Sequence, residues 1–513
     1  MNEPGTARSQ TMRSLPTELW EQIFSHLECP MPIDNWWYYG SQYDVSSLKD
    51  LASLSLACRT FQHIAQKFMY RTILAEAFSQ EDSKVRDENK RLLARSMVQN
   101  PRLAAHARNV CLDSLRNGED VECESLLRRA DVGEREKRWL KMAMMKETKI
   151  GWNGRLLALM RNLQVVDVAV YRDAFDIAGM LSGRSDVEKI VQTIADLRET
   201  MRFTYSRRLE EEQLLRAIPT PFTDETLSDN ALPHLKELRI RHRDSESGSI
   251  SIADIEAVLL HPGLERLYLL GFDWTSFSLR KTRWPLHPNP AIRILDLREC
   301  FIDATGLRDV LTRFRNLHTL HILFGDSRRD DPSFDTDREQ FDLEVDLSAM
   351  GAVLREHGQS LVSFELHTTD YSSYSSTDGH VDSLKEMTSL RHLKIAECDF
   401  TGHRNRWEND GVLALEDALP AGLETLYLHY DDRWFGPCSP DRGLFVMLGR
   451  TLRSGRFSEL KEIKVERYLN DSTKELEPEI EGWEVRMTEA HFRMGVSSSG
   501  CMRLLIELTP VDD

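Results

Sequence analysis

The chain has 513 residues, of which 41% are hydrophobic and 29% charged, with a formal net charge of -17 and eight cysteines. This balance is that of a globular chain, not a disordered one, long enough for two or three domains or one extended array. The acidic excess argues against nucleic acid, which needs a basic face; no run approaches the roughly 18 apolar residues of a membrane span; and cysteines scattered without a C-x-x-C pair argue for reduced thiols in the cytosol or nucleus.

Residues 1–12 read as a disordered tail, without the apolar core of a signal peptide. The first structured unit is expected over 13–74. It opens Ser-Leu-Pro-Thr-Glu-Leu-Trp-Glu-Gln-Ile-Phe-Ser-His-Leu from Ser14 to Leu27. Pro16 suits a first helical turn, where its missing N–H has no partner to lose. Leu19, Ile23 and Leu27 fall at i, i+4 and i+8, with Trp20 and Phe24 alongside, which makes one broad apolar stripe. Leu48, Leu51, Leu54, Leu56, Cys58, Phe61, Ile64 and Ala65 continue the helical spacing. Three helices of under about 60 residues form a marginal core that gains from burying its stripe in a partner.

The ordered pattern L-P-x-E-L-x-x-x-I-F-x-x-L followed by L-x-x-L-x-L-x-C-R-x-F-x-x-I-A resembles the F-box, the module that docks onto the Skp-type adaptor of cullin–RING ubiquitin ligases. The resemblance implies an adaptor interface formed or supported by Leu15, Pro16, Leu19, Ile23, Phe24, Leu27, Leu51, Leu54, Cys58 and Phe61. Which of these touch the adaptor and which join the helices is not readable from sequence. One departure is an inserted loop at 29–44 carrying Trp36, Trp37, Tyr38, Tyr39 and Tyr43. It is either a tolerated surface insertion or an aromatic patch that extends the contact.

Residues 75–104 are expected to be a charged helical linker. An array of strand–helix units should follow over 105–468, weak over 105–230 and clearer over 231–468. Its mark is the hexad L-x-x-L-x-L: Leu235-Leu238-Ile240, Leu264-Leu267-Leu269, Ile292-Leu295-Leu297, Leu317-Leu320-Ile322, Leu361-Phe364-Leu366, Leu390-Leu393-Ile395, Leu423-Leu426-Leu428 and Leu460-Ile463-Val465. Start-to-start intervals are 29, 28, 25, 44, 29, 33 and 37 residues. Several match the ~20–29 residue period of leucine-rich repeats, the longer ones carrying insertions. Weaker copies at Ala107-Val110-Leu112 and Leu163-Val166-Val168 bring the expected strands to ten. Each hexad predicts a strand with alternate side chains in a shared core, and helices are expected over Ala253–Leu260, Gly306–Phe314 and Gly411–Leu419. The charge-rich stretches 121–149 and 186–217 read as solvated helices on the convex side.

After Leu297 come Cys300, Ile302-Asp303 and Gly306-Leu307, which is similar to the cysteine-containing leucine-rich repeat; Cys398 sits at the same offset after Ile395. Both cysteines are expected as small apolar fillers in the turn leaving the strand. Residues 326–346 read as an acidic insertion. They do not form an EF-hand, because Gln340 stands where the glycine after Asp335 and Asp337 is needed. Residues 469–513 read as a C-terminal cap. The expected fold is therefore α/β, a three-helix F-box followed by a leucine-rich-repeat solenoid.

No nucleophile elbow, P-loop, H-E-x-x-H or G-x-G-x-x-G occurs. No catalytic site, metal or cofactor is therefore expected. His318 and His321 fall on opposite faces of one strand, with His321 expected to face solvent. The between-leucine positions should line a concave binding face: Arg239, Arg241, Arg266, Tyr268, Asp296, Arg298, His321, Glu365, His367, His392, Lys394, Tyr427 and His429. An acidic or phosphorylated segment of a target protein would suit Arg239, Arg241, Arg266 and Arg298. The resemblance implies a cytoplasmic or nuclear substrate receptor of an SCF-type E3 ligase. A non-ligase scaffold with the same modules, and a repeat-fold enzyme or regulator with a helical cap, are the alternatives.

Overall fold

The structure is a computed structural model. It describes residues 15–29, 31, 46–74, 92–93, 95–112, 159–160, 162–170, 232, 234–242, 249–259, 261–280, 282, 288–325, 344–368, 375–376, 379–401, 413–429, 442–468, 482–492 and 501–511. The tail 1–12, nearly all of the loop 29–44, the charged stretches 121–149 and 186–217, and most of 326–346 lie outside them.

Three helices lead: α1 (Thr17–Ser25), α2 (Ser46–Ala57) and α3 (Arg59–Met69). Phe24, Leu51, Ile64, Ala65 and Phe68 are their buried centre, with Trp20, Leu27, Leu54 and Phe61 packed partly buried around it. The rings of Trp20 and Phe24 meet Phe61 edge-on at 4.6 and 5.3 Å, near the ~4.5–7 Å that edge-to-face pairs prefer.

Directly after α3 comes β1 (Thr72–Leu74), which pairs in parallel with β2 (Asn109–Leu112). Sequence reading assigned these residues to the end of the helical unit. The three residues Thr72-Ile73-Leu74 are too few to show a period, and only the partner strand reveals them. Cys29, Leu74 and Cys111 then form a small buried cluster between helices and sheet.

From β2 the chain builds a mixed α/β fold with a largely parallel sheet. The strands are β3 (Val165–Val170), β4 (Glu237–His242), β5 (Ile250–Ser251), β6 (Arg266–Leu270), β7 (Phe272–Trp274), β8 (Ile294–Ile302), β9 (Thr319–Phe324), β10 (Glu344–Val345), β11 (Ser363–Thr368), β12 (Ser375–Ser376), β13 (His392–Ala396), β14 (Thr425–His429) and β15 (Glu462–Tyr468), of which β10 and β12 pair as a separate two-stranded sheet. The antiparallel β16 (Trp483–Phe492) and β17 (Cys501–Pro510) finish it, in the order β1-β2-β3-β4-β6-β8-β9-β11-β13-β14-β15-β17-β16. In all ten hexads the second and third apolar residues lie on a strand of this path, and the first stands two residues before it.

Register explains why the hexads work. Leu238, Leu267, Leu295, Leu320, Phe364, Leu393, Leu426 and Ile463 stand opposite one another from strand to strand. This ladder belongs to one buried cluster running from Ile73 to Leu508, so no unit holds its apolar face alone. The intervening helices include Ala304–Arg313, capped by the Asp303 carboxylate accepting from Gly306 N–H, and Leu347–His357, capped by Asp346. Of the helix predicted over 411–419, the described residues show Leu415–Ala418. Among the described residues no helix is long and apolar enough to cross a membrane.

Cys300 is fully buried, as expected of a filler, yet it lies inside β8 and not in the turn after it. The strand continues through a register shift between Leu297 and Cys300, where Glu299 takes φ 47°. Burial pushes the Cys300 thiol up to about 12, so it stays protonated and unreactive. Cys398 falls within the short helix Glu397–Thr401.

Candidate functional site

Two surfaces follow from this arrangement. The first is on α1. One residue of a helix turns by about 100°, so two apolar lines offset by a single position face different ways. The line Trp20, Phe24, Leu27 turns inward to α2 and α3. The line Leu15, Leu19, Ile23 turns outward, with 45, 43 and 46% exposure. With Gln22, Ser25 and His26 it lines an open groove. What reads in sequence as one broad stripe is therefore two.

The ten sequence-predicted residues of this unit divide accordingly. Phe24 and Leu51 are core, and Leu27, Leu54 and Phe61 are half-buried within the bundle. Pro16 is the exposed N-cap of α1, its carbonyl accepting from Leu19 and Trp20 N–H. Cys58 is the exposed N-cap of α3, its Sγ accepting from Phe61 N–H at 3.5 Å. Leu56, on α2, is 88% exposed and was not among them. Its signal was its phase: Leu56 is five positions after the core residue Leu51, a displacement of about 140° around the helix.

The second surface is the face of the sheet opposite the apolar ladder. Here the structure corrects the expectation that the between-leucine side chains are open to solvent. Arg239, Arg241, Asp296, Arg298, Glu365, His367 and His429 are all buried, Arg239 and Arg241 to 2% and 1%. Strands about 4.8 Å apart place long polar side chains side by side, and these cover and neutralise one another. Arg241 Nε donates to Asp167 Oδ1 at 2.9 Å, and Arg239 Nε to Glu237 Oε1 at 2.7 Å. Arg298 Nε donates to Asp296 at 2.5 Å, while its Nη2 lies 3.5 Å from Glu365.

A denser knot lies over β11, β13 and β14. Glu365 Oε1 accepts from His367 Nε2 at 2.5 Å and lies 2.9 Å from Lys394 Nζ. Burial opposes ionisation of Glu365, but the His367 hydrogen bond and the charges of Lys394 and Arg298 outweigh it and hold its pKa well below the usual carboxylate range. Asp296 is held low in the same way by His321 and Arg298, against its burial. His367 is lowered to about 4 by burial, which the Glu365 hydrogen bond only partly offsets and which the neighbouring His429 reinforces. The His367 and His429 rings lie 4.6 Å apart across the small Ala396 strand. His429 Nδ1 stands 2.7 Å from Glu466, which also accepts from the Tyr427 hydroxyl.

Of the thirteen residues predicted for this face, six remain accessible. Arg266 and His392 are exposed, and Tyr268, His321, Lys394 and Tyr427 are half-buried. His321 keeps 26% of its side chain exposed. Among the described residues no group of three His, Cys, Asp or Glu is disposed to hold a metal ion. No family model and no curated protein matches this chain.

Proposed function

We propose that the chain is the substrate-recognition subunit of an SCF-type E3 ubiquitin ligase, its N-terminal helices an F-box that binds a Skp-type adaptor and its sheet a leucine-rich-repeat solenoid that holds a target protein. The observation that carries this reading is the outward line of Leu15, Leu19 and Ile23, with Leu56, on a bundle whose own core is already complete. A helix that exposes a second apolar line after filling its first has surface left to bury in a partner. Together with the L-P-x-E-L-x-x-x-I-F motif, this favours adaptor docking.

Covering a large aliphatic side chain contributes ~1.5–3 kcal/mol when complete. Three residues already half covered therefore supply only a few kcal/mol, against an association cost of ~4–15 kcal/mol. The adaptor contact must extend beyond α1, and Leu56 is its first extension. On this reading the chain contributes proximity, raising the local concentration of a target at the transfer site with no catalytic group of its own.

The test is co-expression with a Skp-type adaptor, followed by size-exclusion chromatography with light scattering. A stable one-to-one complex is expected from the unaltered chain, and none from Leu19→Asp or Ile23→Asp. Both sites are exposed, so the variants should retain the parent thermal midpoint. An adaptor complex that survives both substitutions overturns the assignment.

A further inference from the structure

The polar face of the sheet is not charge-symmetric in depth. Its carboxylates are sunk: the side chains of Glu237, Asp296 and Glu365 are 7, 6 and 11% exposed. Its outermost groups are the basic side chains that partner them. Arg266 is 51% exposed while bonded to Glu237, His321 26% beside Asp296 and Glu365, and Lys394 31% above Glu365. The acids thus anchor the bases from below, and what a ligand meets is the bases. Tyr268 and Tyr427 flank them, with the guanidinium of Arg239 5.3 Å from the first ring and Lys394 Nζ 4.9 Å from the second.

His321 on β9 and Lys394 on β13 share one cross-strand row, two strand intervals or about 9.6 Å apart, and Tyr268 on β6 stands in the same row. Arg266 lies beside that row, two residues along β6 from Tyr268. The strip ends at β15, where Glu462 and Glu507 are about as exposed as Lys464.

We infer that this strip binds an acidic segment of a partner protein, lying across the strands with its carboxylates meeting Arg266 and Lys394. The inference rests on reading this face as the target surface. It also replaces the basic set expected from sequence: Arg239, Arg241 and Arg298 are consumed internally, and Arg266 and Lys394 take their place. A chain of net charge -17 that brings its cations outward on one face discriminates by charge against its own surroundings.

The experiment is fluorescence anisotropy of the full chain with a labelled peptide of Glu-Gly-Ser triplets, beside the same peptide with Gln for Glu. The acidic peptide should bind roughly tenfold tighter, and its affinity should fall as salt is raised. Arg266→Gln, which leaves Glu237 paired with Arg239, should weaken binding several-fold with the thermal midpoint unchanged; Lys394→Gln should weaken binding as well, with a lower midpoint because it removes a charge that offsets the burial of Glu365. Equal affinity for the two peptides, no detectable binding, or indifference to Arg266→Gln overturns the inference. Tighter binding of a single-stranded RNA would assign the strip to phosphate instead, and would overturn it too. Leu19→Asp should leave peptide binding intact, so loss of the adaptor complex and loss of the peptide are read separately.

Discussion

His261 lies 2% exposed, with Nε2 3.1 Å from the Leu232 carbonyl oxygen and Nδ1 accepting the Gly263 N–H at 3.2 Å. One nitrogen donates and the other accepts, which only the neutral ring can do. Burial lowers its pKa to about 4, and His367 is lowered to about 4 as well. Both sit below the ordinary value of 6.5, so the unfolded chain binds more protons between those limits. Stability is then complete above pH 6.5 and is lost as pH falls toward 4. At ~1.36 kcal/mol per pKa unit, each ring is responsible for on the order of 2–3 kcal/mol by the bottom of that window. Glu365 and Asp296, both held low, add their loss only below the ordinary carboxylate range. The thermal midpoint should therefore fall between pH 6.5 and 5, and fall less in a His261→Gln, His367→Gln double variant. A midpoint that is flat or rises over that interval would contradict this account.

At the scale of the element, the helix Ala304–Arg313 shows how closely each unit packs on the one before. A Cβ built on Gly306 runs into the Trp274 carbonyl oxygen, and one on Gly351 in the helix Leu347–His357 meets the Val381 carbonyl in the same way. Backbone cannot swing aside as a side chain can, so Gly306→Ala should cost about 1–3 kcal/mol, as overpacking does. A chemical-denaturation midpoint equal to that of the parent would show that the helix shifts freely. Gly306 and Asp303 were visible in the sequence beside Cys300, and so were the hexads. A period of two specifies which side chains enter a core, whatever surrounds it. The fate of the opposite face was not visible. The pattern places Arg239 and Arg241 on the polar side, but their burial depends on Asp167 and Glu237 in neighbouring rows, and Asp167 is 74 residues from Arg241. In α1 the composition of the stripe was legible, while its division into inward and outward lines required the position of α3.

At the scale of the whole molecule, each described strand of the path bonds to its neighbours in the order, β8 pairing also with β7 beside it, so the two ends of the stack are where the design is tested. At the first end β1 is three residues long and continues directly from α3; the Arg71 carbonyl accepts from Arg108 and Asn109 N–H, tying helices to sheet. At the other end the direction reverses. β17 runs antiparallel against β15, with Leu508 opposite Ile463 and Ile506 opposite Val465, and β16 covers β17 in turn. Ile506 and Leu508 are fully buried members of the continuous core, while Glu484 and Arg486 on β16 are exposed. The apolar ladder thus ends under a hairpin whose outer strand carries charge, a means of blunting a sheet edge. Deleting residues 482–513 would leave β15 as a raw edge beside uncovered Ile463 and Val465. Each removed aliphatic contact costs up to ~1.5–3 kcal/mol, and the unpaired N–H and C=O row offers a template for another copy. The truncated chain should elute as soluble aggregate, with a lower thermal midpoint, where the full chain elutes as one species. A monodisperse truncated chain with the parent midpoint would mean that the stack is complete at β15 and that the hairpin serves something other than closure.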